Sequence, residues 1–280
     1  MRYILTFDIG TTAVKTCVFD ERLRCISSAN EEYTLLTGAG NAVELDPEIY
    51  IDACRNGVRA TAEKEGLLSR VTAICITTQG ETLIPIDKEG HPLRNAIVWL
   101  DTRAEEEAAF IQKLPFAKDL FQTTGVPTME ATAPLAKLLW IKNHQPDVYE
   151  KTYKFLLLED CVIYRLTGVI ATEKVLMGTT GYYDIRKQCL YRDALEQTGI
   201  DAAKIPEIFD SGTIVAKVSE VASIHTGLPA GIPVVAGAMD QVAAAIGGGN
   251  IHEGVLTETT GTCMSIMTSV LPFRLKGKRL

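Results

Sequence analysis

Apolar and polar positions along the chain switch between two periods, and the switches divide it into strands and helices. Residues 2–7, 14–19 and about 23–35 read as three successive antiparallel strands. Asp46-Pro47-Glu48 opens a helix: Asp46 is a natural cap, Pro47 suits the first turn, and Ile49, Ala53 and Val58 carry an apolar face. Val71 to Thr77 is continuously apolar enough for a buried strand, and it ends at the polar run Thr78-Gln79-Gly80-Glu81-Thr82. Residues 133–144 are predicted as a helix, and Phe155 to Leu166 as another. Gly231 to Ala238 reads as a strand ending at Met239-Asp240-Gln241, followed by a helical run from Val242 to Ile246 and by Gly247-Gly248-Gly249. A further strand is expected from Val255 to Ile266. Strands interleaved with helices predict an α/β sheet, with ligands at the polar ends of its strands.

Composition narrows the class. A chain of 280 residues, 46% hydrophobic and 22% charged, has ample core for one large domain or two. The net charge of −7, with basic residues scattered except for the tail Arg274 to Arg279, argues against a nucleic-acid partner. No apolar run reaches the roughly 20 residues that span a bilayer, and the amino terminus enters a strand at once, so neither a membrane span nor a secretory signal is expected. Seven cysteines stand singly with no C-x-x-C pair, and four histidines stand alone. That pattern favours reduced thiols in a cytoplasmic protein over a disulfide framework or a zinc site.

Two turns carry the candidate chemistry. Asp8-Ile9-Gly10-Thr11-Thr12, with Lys15 beyond it, and Thr259-Thr260-Gly261-Thr262 each set a Gly-Thr core between apolar runs. Such a turn offers amide hydrogens and hydroxyls to an anion, and glycine lets phosphate oxygens come close to the backbone. The pair suggests one polyphosphate gripped from two sides. Asp240 falls where an apolar strand gives way to a small-residue helix. It is there either as a helix cap or as a carboxylate that accepts a proton from a substrate hydroxyl.

Taken in order, these motifs resemble a known family. Asp8-Ile9-Gly10-Thr11-Thr12, Glu44-Leu45-Asp46-Pro47, Gln79-Gly80-Glu81-Thr82, Trp99-Leu100-Asp101-Thr102-Arg103, Lys137 with Trp140, Asp160 with Arg165 to Gly168, Gly237 to Gln241 and Gly261-Thr262 follow one another as in the FGGY carbohydrate kinases. The resemblance is to the amino-terminal part of such a kinase. It implies a ribonuclease-H-like, actin-like ATPase fold, with ATP and Mg²⁺ in a cleft and a small sugar or polyol beside them. It assigns Asp240 as the catalytic base and Asp8 to the Mg²⁺ through water. Gly10, Thr11, Thr12 and Lys15 match the first phosphate loop, and Gly261 and Thr262 the second. Gln79, Glu81, Trp99, Asp101 and Arg103 fall in segments that line the sugar pocket. Asp101 with Arg103 also reads as a plain loop ion pair, Trp99 and Trp140 as core residues with Trp99 the better candidate for a sugar, and Glu105 to Glu107 as a solvated face.

Departures from the family pattern bear on substrate and length. Gly80 stands where glycerol kinases carry an arginine, and Thr132 where they carry a tyrosine that contacts glycerol. Xylulokinases place Met-His at Gly80-Glu81, and many members carry aspartate at Glu173. The loss of both glycerol-kinase residues argues against glycerol, and the xylulokinase match is imperfect too. The substrate stays open among ketoses, sugar acids and polyols, with a xylulose-like ketose favoured over gluconate or glycerol. Residues 1–253 are expected to form the sugar-binding domain and 254–280 to begin a second, nucleotide-binding domain, so that the chain reads as a truncated form, inactive alone. An apolar edge left exposed on that strand could pair with a second copy. The alternative from another class is a non-catalytic sugar-responsive or actin-like module.

Overall fold

A computed structural model describes residues 2–62, 66–260 and 264–270. Its main sheet has six strands. They are β1 (Tyr3–Ile9), β2 (Ala13–Asp20), β3 (Cys25–Glu32), β4 (Val71–Thr78), β5 (Ile214–Lys217) and β6 (Pro233–Met239). They lie in the order β5-β6-β4-β1-β2-β3. β1 pairs antiparallel with β2 and parallel with β4, and β4 pairs parallel with β6. Three parallel central strands therefore end at one edge, which is where an open α/β sheet gathers ligand-binding residues.

Alternation sets the faces. Along β1 the side chains of Leu5, Phe7 and Ile9 are buried, and Val14 and Val18 of β2 meet the same core. Helix α1 (Pro47–Thr61) covers that face; Asp46 caps it as expected, accepting from Glu48 N at 3.0 Å. It can lie close because position 57 is glycine: a Cβ there would meet Thr16 Oγ1 at 2.1 Å.

A second core surrounds helix α2 (Pro134–His144) and a five-stranded sheet of short strands, ordered Leu36–Thr37, Val43–Leu45, Ala96–Ile97, Leu83–Ile86 and Lys154–Leu157. The last of these corrects a sequence expectation. Phe155 to Leu166 is not one helix: Lys154–Leu157 pairs antiparallel with Leu83–Ile86, and helix α3 begins only at Leu158 and runs to Thr167. The run Phe155-Leu156-Leu157-Leu158 is buried throughout, so periodicity cannot separate strand from helix there. Glu107 is a second correction: it is buried at 4% exposure, unlike Glu105 and Glu106, and accepts a hydrogen bond from Asn143.

The helix α4 (Asp240–Gly247) begins two residues earlier than the alanine run suggests, with Asp240 its first residue. The single strand expected over Val255 to Ile266 is two antiparallel strands, β7 (Leu256–Thr260) and β8 (Met264–Thr268), in a sheet of their own. Leu256, Met264 and Ile266 are exposed on it. Gly261 and Thr262, the core of the second Gly-Thr turn, lie outside the described residues. No helix among the described residues is long and apolar enough to cross a membrane.

Candidate active site

The carboxyl ends of β1, β4 and β6 bring three polar positions side by side. Asp8 is opposite Thr77 in the β1–β4 register, and Thr77 is opposite Ala238 in the β4–β6 register. The Thr77 hydroxyl donates to Ala238 O at 2.6 Å, fastening the last turn of β6 before the chain enters α4 at Asp240. These ends form one wall of a cleft of about 650 Å³, lined by Asp8, Gly10, Thr11, Thr77, Gln79, Gly80, Glu81, Trp99, Thr179, Met239, Asp240, Gln241 and Thr259 among others.

Asp8 and Asp240 are each more than half buried, and burial pushes both carboxyl groups above their ordinary range. Across the β1–β2 pair, Lys15 opposes that shift at Asp8. The Asp8 carboxylate adds to it at Asp240. Asp240 Oδ1 accepts from Gln241 N at 2.6 Å. The remaining lone pairs make it an acceptor for a hydroxyl hydrogen.

The turn after β1 is closed by Gly10 N donating to Ala13 O at 2.9 Å, and the Tyr33 hydroxyl holds Gly10 O at 2.5 Å. Thr11 points into the cleft and its hydroxyl accepts from Trp99 Nε1 at 2.9 Å, which fixes the indole against the phosphate-loop candidate. Thr12 and Lys15 are exposed and stand outside the cleft lining.

Gln79 is buried, donates to the Tyr50 hydroxyl at 3.2 Å, and leaves Oε1 without a protein partner. Glu81 sits two residues on, at φ 65°, a left-handed conformation a non-glycine residue adopts only where its surroundings hold it. The ammonium of Lys137, fully buried on α2, supplies that hold by donating to Glu81 O at 3.1 Å and Val98 O at 2.9 Å. Burial moves the Glu81 carboxyl up and the Lys137 ammonium down, each opposed by the charge of the other.

Asp101 and Arg103 are elsewhere. Asp101 has no exposed surface and accepts from Val43 N at 2.6 Å and from Arg103 through Nε at 2.9 Å and Nη2 at 2.7 Å. Arg103 also reaches Glu44 at 2.7 Å and lies over the Trp140 ring at 4.9 Å. Neither side chain is part of the cleft lining; the pair is a buried brace beneath the loop that carries Trp99. Thr77 and Thr179 line the cleft without having been singled out, and Gln241 and Thr259, named only as parts of their motifs, line it too. Thr77 carried a legible signal, a polar position at the end of a buried strand, whereas Thr179 follows a short helix.

The carboxyl and hydroxyl groups lining the cleft offer oxygens, which suit a hard cation such as Mg²⁺. Among the described residues no group of three or more His, Cys, Asp or Glu could hold a metal by itself, so such a cation would lean on phosphate oxygens and water as well as on Asp8.

The profile of the FGGY family of carbohydrate kinases, N-terminal domain, matches residues 3–247. The chain belongs to that family. It is 31% identical over 272 residues to the xylulose kinase of Staphylococcus xylosus, covering 96% of this chain and 56% of that protein. It is also 30% identical to the glycerol kinase of Thermococcus gammatolerans and 26% to the gluconokinase of Bacillus subtilis, over 96% of this chain and 54% and 52% of theirs. Among solved structures, the ligand-bound xylulose kinase of Lactobacillus acidophilus superposes with a TM-score of 0.87 at 25% identity, over 96% of this chain and 54% of its own. The glycerol kinase of Plasmodium falciparum with ADP superposes with a TM-score of 0.85 at 26% identity, over 95% and 54%. This FGGY chain therefore has the actin-like ATPase fold, and it spans about half the length of the curated relatives it matches.

Proposed function

We propose that the protein acts in transfer of the γ-phosphoryl group of ATP to a hydroxyl of a small neutral sugar or polyol. A xylulose-like ketose is favoured over gluconate or glycerol. The observation that carries this reading is the position of Asp240, just past the end of β6 and lining the same cleft as Asp8. A non-catalytic sugar-binding module has no need of a carboxylate at that point. MgATP, when bound, brings the phosphoryl group and a cation that offsets its charge. Asp240 takes the proton of the acceptor hydroxyl, its affinity for that proton raised by burial and by Asp8. Asp8 faces the cation, most simply through water, and the Gly10-Thr11 turn offers an amide and a hydroxyl to phosphate oxygens. Gln79 and Glu81 hydrogen-bond the acceptor, and Trp99 gives it an apolar wall.

Charge supports a neutral acceptor. The ionisable side chains lining the cleft are Asp8, Glu81 and Asp240, with no Lys, Arg or His among the described lining residues. A carboxylate such as that of gluconate would meet like charge there. Kinship with xylulose kinases at 31% and 29% identity points the same way. A thermal-shift screen over pentuloses, gluconate, glycerol and erythritol tests the reading, because a ligand of the folded state raises Tm. A pentulose should give the largest shift. No shift with any sugar, with or without MgATP, refutes it.

A further inference from the structure

The strand that carries Asp240 is irregular three residues before it. In the β4–β6 ladder Ala236 lies opposite Ile76 and Ala238 opposite Thr77, so Gly237 is an extra residue with no partner in the register. Such a bulge takes an amide hydrogen out of the ladder. It also exchanges faces: without the extra residue the side chains of Ala238 and Met239 would change sides, and the entry of the chain into α4 at Asp240 would turn with them. Glycine is required at the bulge, because a Cβ at 237 would lie 1.7 Å from Ile76 O.

The displaced amide has a partner from another layer. Gly237 N donates to Glu159 Oε1 at 2.7 Å, across 78 residues of chain. Glu159 lies on α3 beneath the sheet, with no exposed surface, and its Oε2 meets no hydrogen-bond partner. Its neighbours Glu173 and Asp160 are acids, and Cys75 of β4 lies near enough to sense it. We propose that Glu159 is the positioning residue for Asp240: its carboxyl group accepts the amide hydrogen that the bulge displaces, and so fixes the face on which Asp240 enters the cleft. Asp240 as the base rests on the kinase reading above; the bulge and its acceptor do not.

The electrostatics say which form of Glu159 does this. Burial first, and the Glu173 carboxylate next, push its carboxyl well above the ordinary range, which favours the protonated form. Glutamine is then a faithful substitute, since an amide oxygen accepts from Gly237 as well as a protonated carboxyl does. Methionine keeps the volume and removes the acceptor.

The test compares Glu159→Gln with Glu159→Met in the full 280-residue chain. Hydrogen exchange of the Gly237 amide and the carbon-13 titration of the Asp240 carboxyl are followed by NMR, and the affinity for xylulose by calorimetry. In E159M the Gly237 amide should exchange about tenfold faster or more, the size expected for losing one buried hydrogen bond. The titration of Asp240 should move toward the ordinary carboxylate range while that of Asp8 stays. E159Q should match the parent in both. A parent-like Gly237 amide or Asp240 titration in E159M, or loss of either in E159Q, overturns the proposal. If E159M does not fold, the E159Q outcome decides alone. Exchange and titration need no substrate, so failure to bind xylulose in the parent would count against the kinase reading and leave this one to its own data.

Discussion

Lys137 Nζ donates to the backbone carbonyl of Glu81 at 3.1 Å and to that of Val98 at 2.9 Å, so one ammonium ties α2 to both loops that carry cleft residues. Those loops arise from different strands and are otherwise joined near the cleft by Trp99 N on Thr82 Oγ1 at 3.2 Å. The left-handed turn at Glu81 is strained by itself, and Lys137 is the brace that holds it.

Lys137→Met should therefore cost more than its volume suggests. The methionine fits, but two buried carbonyls lose their donor, at about 1–3 kcal/mol each when nothing replaces it. A fall in Tm together with a loss of sugar affinity of about tenfold or more is expected, read by melting and by calorimetry with xylulose. A stable K137M protein with unchanged sugar affinity would show that the loops hold themselves.

Asp240→Asn is expected to leave sugar binding within several-fold, because asparagine keeps the acceptor oxygen. Any phosphoryl transfer by a form of the protein that turns over ATP should fall by ~10²–10⁴-fold, the usual worth of a general base. Phosphate release from sugar and MgATP is the measurement, and retention of most of the parent rate removes Asp240 from its role.

Stability should fall as pH rises from the ordinary carboxylate range through neutrality. Glu159, Asp160 and Glu173 all have carboxyl groups raised in the folded state, chiefly by burial, Asp160 to about 7. For a raised acid the folded protein holds a proton that the unfolded chain has released. Its stabilising effect is thus complete below the unfolded pKa and lost as pH climbs through the folded one. Urea midpoints at a series of pH values from 5 to 8 check the sign. In Asp160→Asn the slope should flatten; a slope of opposite sign in the parent would mean that these acids are ionised in the fold.

The order of elements and the cleft's main acids were legible because both rest on local pattern. β4 and β6 are apolar runs that stop just before Gln79 and Asp240, and Asp8 is the last polar position of β1; a polar residue at the end of a buried strand marks a ligand-facing end by simple chemistry. The strand Lys154–Leu157 was not legible, since burial on both faces erases the alternation that distinguishes strand from helix. Nor was the bulge at Gly237: a glycine in a strand signals many things, and its acceptor Glu159 lies 78 residues away. Lys137 was marked by its motif though the carbonyls it ties were not, whereas Glu107 defeats sequence reading altogether. A charged residue on a short amphipathic helix is ordinarily solvated, and only tertiary packing shows where its partner is.

Glu81 and Arg103, both expected in the sugar pocket, should separate cleanly on substitution. Glu81 lines the cleft, and its alanine variant loses a polar contact that the acceptor would otherwise use, weakening sugar binding by about 1–3 kcal/mol with little effect on Tm. Arg103 lines no part of it; its guanidinium compensates Asp101, which has no exposed surface. Removing one partner of a buried pair strands the other charge, and that costs on the order of 3–5 kcal/mol. Arg103→Ala should therefore lower Tm far more than E81A does. The sugar affinity of the fraction that stays folded should change only as far as the Trp99 loop relaxes. Lysine at 103 should not restore stability fully, because it cannot reproduce the two-nitrogen contact with Asp101 or lie flat over Trp140. Parallel melting and xylulose calorimetry on E81A, R103A and R103K decide it. If R103A keeps the parent Tm and loses sugar binding, then Arg103 reaches the acceptor after all and the brace beneath the Trp99 loop is not its role.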